Sequence, residues 1–266
     1  MIIDFHTHAF PEKIAARAID TLAGRSGFVP QTDGTVDSLL ARLDEWRVDR
    51  AVVANIATNP RQQANVNAFA VETMRQHGDR LTPLGSVNPD AADWDQTLVM
   101  LRDAGIPGIK LHPDYMGHTF DEAVYTPILE TAASLDLFVL IHAGFDVYSP
   151  DKIHATPAMI RQVLVRHPSL KLICAHYGGN CLWNDVEELL VGENVWIDTS
   201  IGHRMGLSAD QAKRILENHD SQRILFGTDC PWADVPATVQ FIESLGLDSE
   251  RLDRIFYKNA KELLKL

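Results

Sequence analysis

The chain has 266 residues, 45% of them hydrophobic, and a formal net charge of −12. That length and composition support one large domain with a sizeable core and exclude a disordered chain. The acidic balance argues against nucleic acid and anionic membranes as partners, but leaves a small anionic substrate open, because a local cation can reverse the field inside a pocket.

Short apolar runs recur at 2–8, 51–57, 81–87, 106–112, 137–143, 170–176, 194–199 and 223–229, with helical periods between them. Val36, Leu39, Leu40 and Leu43 share one helical face. So do Trp94, Leu98 and Leu101; Ile128, Leu129 and Ala132; Ile160, Val163 and Leu164; and Val239, Ile242 and Leu245. Strict strand–helix alternation implies parallel strands with crossover helices. Eight such strands in ~250 residues favour a closed (β/α)8 TIM barrel over an open sheet. One domain, 1–266, is expected, with no linker or repeat. An extra helix at 11–23 is predicted in the first strand–helix connection, and a terminal helix at 249–264 against the outside or bottom. The first connection is long for its type, as lids and binding loops are.

No run of ~18 apolar residues occurs, so no membrane span is predicted. The N-terminus opens on a strand without the basic and apolar regions of a signal peptide, which predicts a cytoplasmic protein. Cys174, Cys181 and Cys230 form no CxxC pair and are expected as free thiols. Cys174 reads as a core residue; Cys230, beside Asp229, is a candidate to line the site.

The strand ends carry the chemistry. The first run ends in His6-Thr7-His8, the fourth in Lys110-Leu111-His112, the fifth in His142, the sixth in His176 and the eighth in Asp229. Residues two apart share a face of a strand. His6 and His8 are therefore expected to point into the barrel, with Phe5 and Thr7 outside, and Lys110 and His112 inward, with Ile109 and Leu111 outside. The carboxyl ends of barrel strands form the catalytic mouth. Several histidines and a carboxylate brought together there would lose solvation without compensation unless a cation held them. A divalent metal uses neutral imidazoles and an ionised carboxylate as ligands; zinc suits the mixture best, with manganese, iron or cobalt as alternatives. Of the remaining histidines, His77, His167 and His219 lie near helix ends and read as solvated or dipole-favoured. His118, His154 and His203 fall in mouth loops and read as surface residues.

At these residues the chain resembles the amidohydrolase superfamily, and within it the branch containing aminocarboxymuconate-semialdehyde decarboxylase. The resemblance runs through Asp4-Phe5-His6-Thr7-His8, Gly108-Ile109-Lys110-Leu111-His112-Pro113, Ile141-His142-Ala143-Gly144, Ala175-His176-Tyr177-Gly178-Gly179, Gly227-Thr228-Asp229-Cys230-Pro231-Trp232 and the closing Asn259-Ala260-Lys261-Glu262-Leu263-Leu264. It implies that His6, His8, His142 and Asp229 ligate one metal and that His176 stands beside it as a proton carrier or polarising group. Lys110 is ambiguous. Carbamylated, it would bridge to a second metal and make His176 a ligand; as an ammonium, it would bind a substrate carboxylate or pair with Asp4. The branch usually manages with one ion.

The leading expectation is a metal-dependent hydrolase that cleaves a lactone, ester or amide of a small organic acid. Asp229 would carry the proton of the attacking water, and His176 would polarise the carbonyl or stabilise the oxyanion. His112, Tyr115, Arg204 and Trp232 are the candidate substrate contacts. The alternative is a non-oxidative decarboxylase of a small unsaturated or aromatic acid; from another class, a non-catalytic ligand-binding barrel. A homodimer is possible through an apolar helix face near the first connection.

Overall fold

Eight short strands coincide with the eight apolar runs: β1 (Ile3–Thr7), β2 (Arg50–Ala54), β3 (Leu81–Leu84), β4 (Gly108–Leu111), β5 (Phe138–Ile141), β6 (Leu172–Cys174), β7 (Trp196–Asp198) and β8 (Ile224–Leu225). The structure is a computed structural model that describes every residue, Met1–Leu266. All strand pairs are parallel, in two arcs, β1-β2-β3 and β4-β5-β6-β7-β8. Single bridges close the ring: Gly85 pairs with Ile109 between β3 and β4, and Thr7 pairs with Cys230 between β1 and the chain leaving β8. At the second seam His8 N–H donates to Cys230 O at 2.7 Å and Phe5 N–H to Phe226 O at 2.7 Å. The result is the closed (β/α)8 barrel expected from the alternation.

Two apolar layers follow from the pleat. Ile109, Leu111, Val139, Ile141, Leu172 and Ile197 pack outward against helix residues such as Leu39, Leu43, Leu98, Ile128, Ile160 and Ile242. A smaller inner layer holds Ile3, Phe5, Val52, Leu84, Phe138, Leu140, Ile173 and Leu225. Phe5 corrects the sequence expectation, which placed it outside. Its ring lies 5.5 Å from that of Phe138. β1 and β5 stand on opposite sides of an eight-stranded ring, so that contact runs through the interior. The register of β1 on β2 shifts between Asp4 and Thr7. Such an irregularity breaks the two-residue period and lets Phe5 fill the barrel floor while His6 also faces inward above it.

The floor is sealed by the C-terminal segment. It is a broken helix: Ser249–Asp253, a π-helical turn Arg254–Lys258, then Asn259–Leu264. Ala260, Tyr257, Leu263 and Leu264 pack on the inner layer. Asn259 Nδ2 donates to Ser221 O and Ile224 O, each at 2.8 Å, and pins the segment to β8.

The long first connection contains α1 (Glu12–Ser26), slightly longer than expected, and α2 (Val36–Glu45). Gly27, at φ 71°, supplies the left-handed turn that ends α1. Thr35 caps α2 by accepting from Ser38 N–H at 3.1 Å. Between them the chain crosses the mouth: Gln31 N–H donates to Pro231 O at 2.9 Å, and the Arg204 guanidinium lies 4.4 Å from the Phe28 ring centre. No helix is long and apolar enough to cross a membrane. The three cysteines are free. Cys230 is wholly buried among apolar residues and its thiol is held well above the usual range by burial, so it belongs to the core, not to the lining of the site.

Candidate metal centre

His6, His8 and Asp229 present ligand atoms within 4.8 Å of one another. His8 Nε2 lies 2.9 Å and His6 Nε2 3.4 Å from the same oxygen, Asp229 Oδ1. The far nitrogens of both rings are already committed. His8 Nδ1 donates to Ala54 O at 2.9 Å. His6 Nδ1 donates to Asp198 Oδ2 at 2.8 Å. A carbonyl and a carboxylate can only accept, so each Nδ1 carries a proton and each ring turns Nε2 towards Asp229. At His6 a lone pair thus confronts the carboxylate, and His8 Nε2 meets the same oxygen at hydrogen-bond distance. Burial holds His6 well below its ordinary pKa of 6.5, with Lys110 adding to the effect, so protonation of that ring does not relieve the confrontation. Burial alone would raise Asp229, but His6, His8 and Lys110 outweigh it and keep the carboxyl below 3.8. A divalent cation among the three side chains would satisfy them together. Tetrahedral bonds of ~2.0–2.2 Å imply ligand separations of ~3.3–3.6 Å, close to the His6–Asp229 spacing.

His142 and His176 form the adjoining wall. His176 Nε2 is 3.0 Å from His142 Nδ1. The His176 ring stacks on His6 with centroids 5.3 Å apart. His142 lies outside the trio and groups instead with His112 and Asp146. Its Nε2 donates to Phe145 O at 3.3 Å, which turns the Nδ1 lone pair towards His176. Burial, with His112 beside it, lowers His142 to a pKa of about 4. Burial also holds His176 well below 6.5, so it too is neutral. His176 and Asp229 both have left-handed backbones, at φ 62° and 69°. Residues other than glycine occupy that region only where the surroundings hold them there. Gly144 allows the loop after β5 to reach the loop after β6: a Cβ there would meet Asn180 N at 2.2 Å.

Lys110 lies at the centre, 1% exposed. Its Nζ is 3.2 Å from His6 Nε2. Burial lowers its pKa from 10.5 to about 8, opposed by Asp198 and Asp229. Lys110 does not pair with Asp4. Asp4 accepts from Thr228 Oγ1 at 2.6 Å and Thr228 N–H at 3.0 Å, which ties β1 to β8. Burial raises Asp4 to a pKa of about 7 despite those bonds.

The candidate substrate contacts separate into two groups. His112 is sandwiched between Tyr115 and His142, with ring centroids at 3.9 and 4.2 Å. These stacked rings form one wall beside the metal residues, and Tyr148 packs edge-on against Tyr115 at 4.8 Å. Arg204 and Trp232 instead stand at the rim. Arg204 is exposed, donates to Trp232 O and stacks on Phe28. His154 and His219 correct the surface and solvated readings. His154 Nδ1 bonds Asp114 Oδ1 at 3.0 Å, both buried. His219 is buried, with Nε2 donating to Val195 O at 2.8 Å and Nδ1 accepting from Gly192 N–H at 3.2 Å.

Sequence reasoning passed over Asp198, Ser200 and Asp146. Asp198 ends the seventh apolar run just as Asp229 ends the eighth, and that signal was available. Asp146 follows His142 by four residues in a loop, and nothing local marks it. Burial alone would raise Asp146, but His112 and His142 outweigh it and hold the carboxyl far down.

The chain matches the amidohydrolase family over residues 3–266. It belongs to the amidohydrolase family. No curated protein matches it at a significant level. Several solved structures resemble this amidohydrolase in fold. An uncharacterized TIM-barrel protein of Bordetella bronchiseptica is 18% identical, with 99% of this chain and 98% of that one covered and a TM-score of 0.77. A probable 2-pyrone-4,6-dicarboxylic acid hydrolase of Acinetobacter baumannii, solved with citric acid, is 20% identical, covers 100% and 99%, and has a TM-score of 0.71. A dihydroxybenzoic acid decarboxylase of Polaromonas sp. JS666, solved with manganese and 2-nitroresorcinol, is 16% identical, covers 100% and 97%, and has a TM-score of 0.72. The expectation of a barrel enzyme of the amidohydrolase superfamily holds, and the donor set of this amidohydrolase fits a divalent metal.

Proposed function

We propose that this amidohydrolase is a metal-dependent hydrolase of a lactone, ester or amide of a small organic acid. The observation that carries the reading is the approach of two fixed Nε2 atoms, on His6 and His8, to one oxygen of Asp229. His6, His8, Asp229 and the Nδ1 of His142 would hold one divalent ion, zinc or manganese before iron or cobalt. When bound, such an ion polarises oxygen ligands and brings the pKa of water towards ~7. Lys110, flanked by Asp198 and Asp229, is read as an unmodified ammonium, which supports one ion over two.

The chain's own groups then divide the work. The Asp229 carboxylate takes a proton from the attacking water and returns it to the leaving group. His176, neutral and with Nε2 facing the His142 Nδ1 lone pair, holds its proton at Nε2 and suits the role of proton carrier or polarising group. Lys110 Nζ is the buried donor available to developing negative charge. The Tyr115–His112 stack forms a flat wall for the substrate, with Arg204 and Trp232 at the entrance.

A second reading is non-oxidative decarboxylation. The stacked wall at 3.9 and 4.2 Å suits a planar aromatic acid, and the decarboxylase of Polaromonas shares the fold. Metal-loaded protein incubated with panels of lactones and aromatic acids separates the two: acid release supports hydrolysis, and carbon dioxide release without it overturns hydrolysis in favour of the second reading.

A further inference from the structure

β3 and β4 meet at one of the two seams of the barrel wall. A single bridge stands there in place of a ladder. Gly85 N–H donates to Gly108 O at 3.1 Å, Lys110 N–H to Gly85 O at 2.8 Å and Ser86 Oγ to Lys110 O at 2.7 Å. Towards the mouth, His118 spans the same seam. Its Nδ1 lies 3.0 Å from Glu122 Oε2, in the loop that follows β4. Its Nε2 lies 3.0 and 3.2 Å from Asp90 Oδ1 and Oδ2, in the loop that follows β3. An ionised carboxylate only accepts, so both ring nitrogens must donate, and the ring in this arrangement is an imidazolium. A neutral ring has one N–H and would turn a lone pair on one of the two carboxylates.

The surroundings favour the cation. No lysine or arginine pairs with Asp90 or Glu122; His118 is their partner. Asp121 lies close by and accepts from Thr119 Oγ1 at 2.8 Å. The Tyr125 ring meets His118 edge-on at 6.4 Å. Arg166, from the helix Pro157–Arg166, donates to the backbone oxygen of Asp121 at 3.0 Å. The two loops differ in their other anchors. On the β3 side, Asn88 N–H donates to Gln63 Oε1 at 2.8 Å and Asn88 Nδ2 to Ala57 O at 3.2 Å. The β4 side carries Tyr115, one half of the flat wall, between His112 and His118.

We propose that His118 is a pH-operated clamp: protonated, it ties the loop carrying Tyr115 to the loop after β3; neutral, it lets go of one of them. The hydrogen bond to Glu122, and then that to Asp90, raises the His118 pKa above 6.5 against a small cost of burial. Thr119 N–H, and then His118, pulls the Glu122 carboxyl from 4.5 to about 2, so that side stays charged throughout. A group whose folded pKa is raised contributes in full below its unfolded value of 6.5. The contribution is lost as pH rises through the folded value.

The test follows the ring proton of His118 by NMR titration, identified by its loss in His118→Gln. The wild-type midpoint should lie above 6.5. Asp90→Asn and Glu122→Gln should each lower it, and the double variant should lower it furthest. Release of the loop is read by amide hydrogen exchange over residues 86–92 and 113–122. Wild type and His118→Gln are compared at the same pH, one unit below and one unit above the wild-type midpoint. Below it, the variant should exchange faster; above it, the two should exchange alike. A midpoint at or below 6.5, a midpoint unmoved in the double variant, equal exchange at the lower pH, or an equal difference at both would overturn the clamp. None of these readouts depends on the reaction that the barrel catalyses.

Discussion

Lys110 Nζ and His6 Nε2 lie 3.2 Å apart, deep inside the barrel. The ammonium faces the lone pair that a metal would use, so cation and ammonium compete for the same side of His6. Lys110→Met should therefore leave zinc affinity equal to or higher than in wild type. The turnover number should fall about 100-fold, the scale of losing one buried donor to developing charge. Metal titration and steady-state kinetics on the same preparation check both; weaker zinc binding in the variant would contradict the competition.

Replacement of Asp229 by Asn keeps the shape of the side chain and removes its charge. Turnover should drop at least ~100-fold, the lower range for losing a proton-transfer group. Metal content is to be measured alongside. Near-normal turnover with full metal content would reject the proton-transfer role.

Removal of the metal should lower stability, because an ion that binds only the folded arrangement of His6, His8 and Asp229 stabilises that fold. Thermal unfolding after dialysis against chelator should begin earlier than in untreated protein. Zinc or manganese added back at 100 times its dissociation constant should restore ~2.7 kcal/mol. An unfolding midpoint unmoved by either treatment would speak against the site.

His219 gives a pH dependence remote from the mouth. Burial lowers its pKa from 6.5, and its Nδ1 accepts from Gly192 N–H, so the folded state holds it neutral. The unfolded chain binds this proton more readily. Stability from this group is therefore complete above 6.5 and is lost as pH falls below that value towards the lowered folded pKa. His219→Gln should cost about 1–3 kcal/mol at pH 7.5 through an unsatisfied buried partner. It should also flatten the acid limb of a denaturation series. Equal slopes in variant and wild type below pH 6.5 would refute the assignment.

Phe5→Ala should open a cavity in the barrel floor and destabilise the protein by about 3–5 kcal/mol. Chemical denaturation measures the change. A cost under ~1 kcal/mol would mean that Phe5 lies on a yielding surface and not against Phe138.

Much of the candidate site was legible because its polar side chains sit at the ends of apolar runs. His8, His112, His142, His176 and Asp229 all follow their strands by a few residues, where a parallel barrel gathers them. Phe5 was misplaced because alternation assumes an unbroken pleat, and β1 breaks it between Asp4 and Thr7. His154 and His219 were read as exposed because position near a helix or in a loop does not report what packs over it. Asp146 was missed because its role depends on two stacked imidazoles that come from different strands.

By itself the sequence determined the number and order of the strands, the helix faces and the kinds of polar side chain at the strand ends. Those are local properties, written in the spacing of apolar and polar side chains along one element. The tertiary structure alone decided that Nδ1 of His6 and of His8 donates, that Lys110 meets His6 and not Asp4, and that Asp198 holds both the His6 ring and the backbone of His176. Each depends on hydrogen-bond partners brought together by closure of the barrel. His6 and Asp198 are 192 residues apart along the chain and 2.8 Å apart in space, and no periodicity encodes a contact of that kind.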